Sequence, residues 1–294
     1  MQKKLLNWVV LFAVLIALML IVNVASGGQL QGIMWAVFVA IGAVLILILY
    51  LATAENKAWE VGTRQVVYMA LGAALYGVFC WVFNTIPMPS VSQVALRPAV
   101  VIPIFFGYIF GPVVGFFTGA AGNILGDFLS GWGVYPAWDM GNGLMGLVPG
   151  LVLLFADKKR SLNTLTVVTI ALLVIFAVLV FVNPRVVGPW TGEIEDFSFW
   201  AWAAIIAGGL VILGRFLLER VHPDVATAEV WGALGVIVGI GFASIADIWI
   251  NGYSLMTAII GEFMPAAVPN ILNMAILLPI LLVAYFAVAR RTGR

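Results

Sequence analysis

RPAVVIPIFFGYIFGPVVGFFTGAAGNILGDFLSGWGVYPAWDMGNGLMGLVPG, residues 97–150, combines bilayer-grade hydrophobicity with Arg, Asn and Asp side chains. Polar groups are costly at membrane depth, so their presence implies a purpose. Gly107, Gly111, Gly115 and Gly119 recur at every fourth position, and the spacing continues through Asn123 to Asp127. A ridge of small residues lets helices approach closely, and this one leads to a carboxylate.

Outside that stretch the composition points the same way. Of 294 residues, 64% are hydrophobic and 9% charged, and the mean hydropathy is +1.14. A water-soluble fold with a polar exterior does not reach such values, so the sequence describes an all-α polytopic membrane protein that meets the lipid bilayer directly. Cys80 is the only cysteine, which excludes a disulfide framework.

Apolar spans are expected near 5–25, 32–54, 65–86, 98–110, 113–130, 141–156, 163–182, 198–218, 230–250 and 265–289, about ten transmembrane helices. The first follows basic residues, as a signal peptide does, but its apolar run is longer than the usual roughly 7–15 residues. It reads as a retained helix, with cleavage after Ser26 as the weaker option. The spans at 98–110 and 113–130 are short and separated only by Gly111-Pro112, which predicts a tight hairpin or tilted, partly irregular helices covered by protein.

Basic residues near span ends are retained in the cytoplasm. Lys3, Lys4, Lys57, Arg64, Lys158, Lys159, Arg160, Arg215, Arg220, Arg290, Arg291 and Arg294 fall on one side of this arrangement, and only Arg97 and Arg185 on the other. Both termini are therefore expected in the cytoplasm and the chain in the cell (plasma) membrane. Trp35, Trp81, Trp132, Trp138, Trp190, Trp200, Trp202 and Trp249 then sit toward the outer ends, where indole rings anchor at interfaces.

With that orientation the polar residues of distant segments converge on the outer leaflet. Arg97 begins one span, Asn123 and Asp127 end the next, and Asp139 and Asn142 begin the one after. Asp247 and Asn251 end the ninth, while Glu262, Asn270 and Asn273 lead into the tenth. Spacings of three and four put each helical pair on one face. Trp132, Tyr135, Trp138 and Tyr253 adjoin them, and small-molecule sites mix such apolar walls with a few polar groups. For any one of these residues an interhelical hydrogen bond, or for Arg97 a pair with Asp127 or Asp139, explains its presence equally well. Packing alone gives the set no reason to concentrate in one leaflet. Four carboxylates against one Arg, with aromatic walls, favour a cationic or donor-rich ligand.

The sequence holds no HExxH, no paired-cysteine metal spacing and no phosphate-binding GxxxxGK[ST]. His222 lies in a turn, and neither Ser130 nor Ser244 sits in GxSxG with a base nearby. No enzyme, cofactor, metal or nucleic-acid partner is expected.

RQVVYMALGAALYGV at 64–78, GPVVGFFTGAAGNILGDFLSG at 111–131, NGLMGLVPG at 142–150 and PNILNMAILLPILL at 269–282 together resemble the substrate-binding S component of energy-coupling factor (ECF) vitamin transporters. The resemblance implies a six-helix core and no ATP hydrolysis by the chain itself. It also implies a vitamin-like small molecule held under the loops 86–97, 131–140 and 251–264, and partnership with a membrane T component and two cytoplasmic ATPases. The family's T-contacting AxxxA motif maps to Ala70 and Ala74, with Ala73 and Gly77 repeating the spacing. The chain then divides into an extra N-terminal hairpin (1–60), the first four core helices (61–160), an inserted hairpin (161–222) and the last two core helices (223–294). Within the resemblance, the acidic and aromatic bias favours a cationic heterocycle such as thiamine or a precursor. A proton-coupled secondary transporter using Asp127, Asp247 or Glu262, and a structural membrane subunit, are the competing readings.

Overall fold

The computed structural model describes residues 2–28, 30, 32–189 and 191–291, residues 2–4 by backbone alone. Trp190 and Arg294, and the side chains of Lys3 and Lys4, lie outside the described residues. The chain is an all-α polytopic membrane protein of ten helices among the described residues: α1 Gln2–Ala25, α2 Met34–Thr53, α3 Thr63–Phe83, α4 Val101–Phe110, α5 Pro112–Leu129, α6 Pro136–Gly150, α7 Lys158–Val182, α8 Ser198–Leu218, α9 Pro223–Ile250 and α10 Met264–Arg291. Nine are long and apolar enough to cross a membrane; the exception is the short apolar α4 with its 3-10 lead-in, Pro98–Phe110. Strands β1 Arg185–Val187 and β2 Ile194–Asp196 pair antiparallel between α7 and α8. A π-helical segment, Thr257–Phe263, leads into α10.

Sequence-local causes set these boundaries. Proline, whose missing N–H is harmless in the first turn, opens α5, α6 and α9. The Asp157 side chain accepts from Arg160 N at 2.9 Å and caps α7. Gly111, at φ 105°, makes the α4–α5 turn in a conformation that disfavours any side chain.

Helices α5 and α6 form the centre: 78% of each apolar window is buried, against 22% for α1 and 17% for α7. The glycines explain the close approach. A Cβ at Gly115 would meet the Gly146 carbonyl and one at Gly119 the Asn142 carbonyl, so this edge of α5 seats the backbone of α6. Gly122 and Gly126, on another face of α5, meet Tyr76, Ala73 and Cys80 of α3. On the far side of α6, Gly141 and Gly239 let α9 approach closely as well. α10 packs against α9, α4 and α8; α1 lies on α5, α2 on α6 and α9, and α7 with α8 on α9.

Because Pro98–Phe110 rises only about 20 Å at 1.5 Å per residue, against a hydrocarbon core of about 30 Å, α4 leaves one end of the bundle unfilled. That end lies away from Lys57, Arg64 and Lys158, which share the other end with Gly111 and Asp224, where Ala58 O approaches Gly111 and Lys158 pairs with Asp224 at 3.0 Å.

Candidate functional site

The space above α4 is a cavity of about 470 Å3. Its wall comes from the α3 terminus (Asn84), the loop that follows, the start of the α4 lead-in (Arg97, Val100), α5 (Asn123, Asp127), the α5–α6 loop (Trp132, Tyr135), α6 (Trp138, Asn142), α9 (Ile240) and α10 (Ala266, Asn270). Among the described residues none of its lining comes from α1, α2, α7 or α8.

A hydrogen-bonded cluster organises the polar side. Arg97 donates from Nη2 to Asp127 Oδ1 at 2.6 Å, from Nε to Asn84 Oδ1 at 2.6 Å and from Nη1 to Asn123 Oδ1. Asn84 Nδ2 donates to Ser130 Oγ at 2.8 Å and to Asp127 at 3.2 Å, and Asn123 Nδ2 donates to Asp127 Oδ2 at 2.9 Å. Burial lowers the Arg97 pKa, but Asp127 beside it outweighs burial and the net shift is upward, so the guanidinium stays charged. Its Cζ lies 5.6 Å from the Trp132 ring centroid, within cation–π range. Burial, and then the charge of Asp127, push the Tyr135 phenol up, which keeps its O–H as a donor at the mouth.

Eight residues singled out in the sequence line this cavity: Arg97, Asn123, Asp127, Trp132, Tyr135, Trp138, Asn142 and Asn270. The other six do not. Asp139 accepts from Asn123 Nδ2 at 2.8 Å. Asp247 accepts from Trp138 Nε1 at 3.2 Å and from Asn251 Nδ2 at 2.8 Å. Glu262 accepts from Ser92 N at 2.8 Å, and Tyr253 and Ser92 share a hydroxyl bond of 2.8 Å. Asp139, Asp247, Glu262 and Tyr253 thus stand behind the wall and fix residues that form it, with Asn251 one step further back. Asn273, half-buried on α10, is neither in the wall nor hydrogen-bonded to it.

Sequence reasoning missed Asn84, Ser92 and Gln93, which line the cavity, and Tyr76, whose hydroxyl donates to Asn142 Oδ1 at 2.5 Å. Tyr76 is fully buried on the α3 face toward α5. Gln93 is the one described non-glycine residue with φ in the left-handed region, at 50°, and such strain gathers at binding loops. On α3, Ala70 and Ala74 are exposed, whereas Ala73 and Gly77 are buried against α5. The second pair therefore does not share the outer face of the first: the step of three residues offsets it by about 60° round the helix, toward α5.

The fold defines a multi-pass helical membrane protein, and this partly open cavity with its polar cluster is its candidate site. A family model for the S component of ECF-type riboflavin transporters matches residues 60–207, and the chain belongs to that family, which is a transporter component and not an enzyme family. A UPF0397 protein of Vibrio atlanticus is 35% identical over 173 residues, covering 54% of this chain and 90% of the relative. One of Aliivibrio salmonicida is 30% identical over 176 residues, covering 55% and 91%. No solved structure matches the chain. The family match begins just before α3 and ends within α8, so α9 and α10 lie beyond it.

Proposed function

We propose that this chain is the substrate-binding subunit for uptake of a vitamin-class heterocycle through the cell membrane, working with an ECF T component and two cytoplasmic ATPases. The observation that carries the reading is the Arg97–Asn84–Asn123–Asp127 cluster at the floor of an aromatic-walled cavity. We take the core to be α3–α6 with α9 and α10, and α1–α2 and α7–α8 to be added hairpins. This division is supported by the cavity lining and by the packing of α9 on α6. The distribution of basic residues supports cytoplasmic termini and an outward-opening cavity.

The ligand class follows from charge balance at the wall. Asp127 is the carboxylate among the lining residues, and Arg97 neutralises it; Asp139, Asp247 and Glu262 are held behind. That balance supports a neutral, planar ligand with donor and acceptor edges over the cationic one that the count of carboxylates favoured. A flavin has those features, and the description of the matching family names riboflavin. The exposed face of α3 around Ala70 and Ala74, which no other helix covers, supports docking of a T-component helix there.

The test is riboflavin titration of the purified chain, followed by uptake into proteoliposomes. Saturable binding by the chain alone, with accumulation only when the T component, ATPases and ATP are present, is expected. Uphill, proton-driven uptake by the chain alone would replace this reading with secondary transport.

A further inference from the structure

Residues 86–96 fold into a small lid. Met88 N donates to Val94 O and Leu96 N to Ile86 O, both at 2.7 Å, around a Pro87–Ala95 bridge. Pro87 and 92–95 of this lid face the cavity. Its tip is tied to the segment around the π-helix. Val91 N donates to Gly261 O at 2.9 Å, Ser92 N to Glu262 Oε2 at 2.8 Å, and the Ser92 hydroxyl meets Tyr253 at 2.8 Å.

The same side of that π-helical turn also meets the ribbon of the α7–α8 hairpin. Val186 of β1 and Phe197, beyond β2, are buried to 5% and 6% exposure. A Cβ built on Gly261 would lie 2.7 Å from Val91, 3.1 Å from Val186 and 3.5 Å from Phe197. Lid, π-helix and ribbon therefore meet at one glycine with no spare space.

We propose that Glu262 is a positioning residue that holds the lid shut through Ser92, and that the ribbon of the α7–α8 hairpin braces it, so that this hairpin sets how long a bound molecule stays. Neither Glu262 nor the ribbon touches the cavity, so the effect falls on opening rather than on contacts with the ligand. The proposal rests on the cavity being the ligand site. A hydrogen bond of this kind is worth about a tenfold change in the closed-to-open ratio.

The test uses the full chain in lipid nanodiscs, wild type beside Glu262→Ala, Glu262→Gln and Phe197→Ala. Hydrogen exchange of the 86–96 peptide is read without ligand, and riboflavin release is read by stopped-flow fluorescence. Glu262→Ala should speed exchange of that peptide and riboflavin release by about tenfold each, with exchange in α5 and α6 unchanged. Gln keeps an acceptor and should restore both to near wild type; Phe197→Ala should shift both in the Ala direction. Wild-type exchange in Glu262→Ala, no rescue by Gln, or acceleration spread through α5 and α6 would overturn the latch. If wild type binds no riboflavin, the ligand assignment fails, and the exchange readout still decides the latch.

Discussion

Replacing Arg97 by Met removes three donors from the floor of the cavity and leaves Asp127 with only the amides of Asn84 and Asn123. Breaking a buried pair in this way costs about 3–5 kcal/mol, because a carboxylate remains uncompensated. The Arg97 side chain is 13% exposed toward the cavity and that of Asp127 only 3%, so water relieves part of the loss and about 3 kcal/mol is the working value. Adding Asp127→Leu removes the stranded charge. Asn84 then still bonds Ser130 and Asn123 still bonds Asp139. The double variant should therefore be destabilised by only about 1 kcal/mol, the size of one net hydrogen bond. Unfolding in mixed dodecyl maltoside and SDS micelles, followed by tryptophan fluorescence, measures both. A double variant no more stable than Arg97→Met would refute the argument that Asp127 is buried and compensated by Arg97.

Gly119→Val should prevent recovery of monodisperse protein in size-exclusion chromatography, since its side chain would enter the Asn142 carbonyl, whereas Gly209→Ala, with nothing within 4 Å, should elute as wild type. Ala70→Leu with Ala74→Leu should weaken co-purification with the T component while riboflavin affinity stays within about twofold, because both positions face away from the cavity. Tyr76→Phe leaves Asn142 without its 2.5 Å donor and should lower riboflavin affinity by about two- to tenfold in an equilibrium titration, with the fold intact.

The ten helices were legible because apolar length is a property of sequence alone, and even the break at Gly111-Pro112 announced itself. Boundaries rich in polar residues were less so. α6 begins at Pro136 rather than near 141, because Asp139 is buried and Trp138 partly buried by neighbours that a hydropathy window does not see. The glycine ridge shows a related limit. Its fourfold spacing runs through the turn at Gly111, so Gly107 and Gly115 are not on one helix; they meet instead because α4 and α5 fold back on each other, and both face Gly146.

Depth was readable for the polar residues, but direction was not. Asp139, Asp247 and Glu262 were placed at the level of the cavity, yet each turns toward another side chain or backbone group and leaves the wall to its partner. Asn84, Ser92 and Gln93 escaped notice because they lie in a loop or at a helix end, where no periodicity marks a facing side. Counting carboxylates favours a cation, whereas the charge balance of the lining residues is what the proposed neutral ligand rests on.

Mass spectrometry of the small molecule that co-purifies with the chain tests the central claim most directly, with wild type beside Asn123→Leu. The account predicts a flavin-class heterocycle at stoichiometric level with wild type and its loss from the variant. Lipid alone in both, or the same molecule retained equally by the variant, would contradict it.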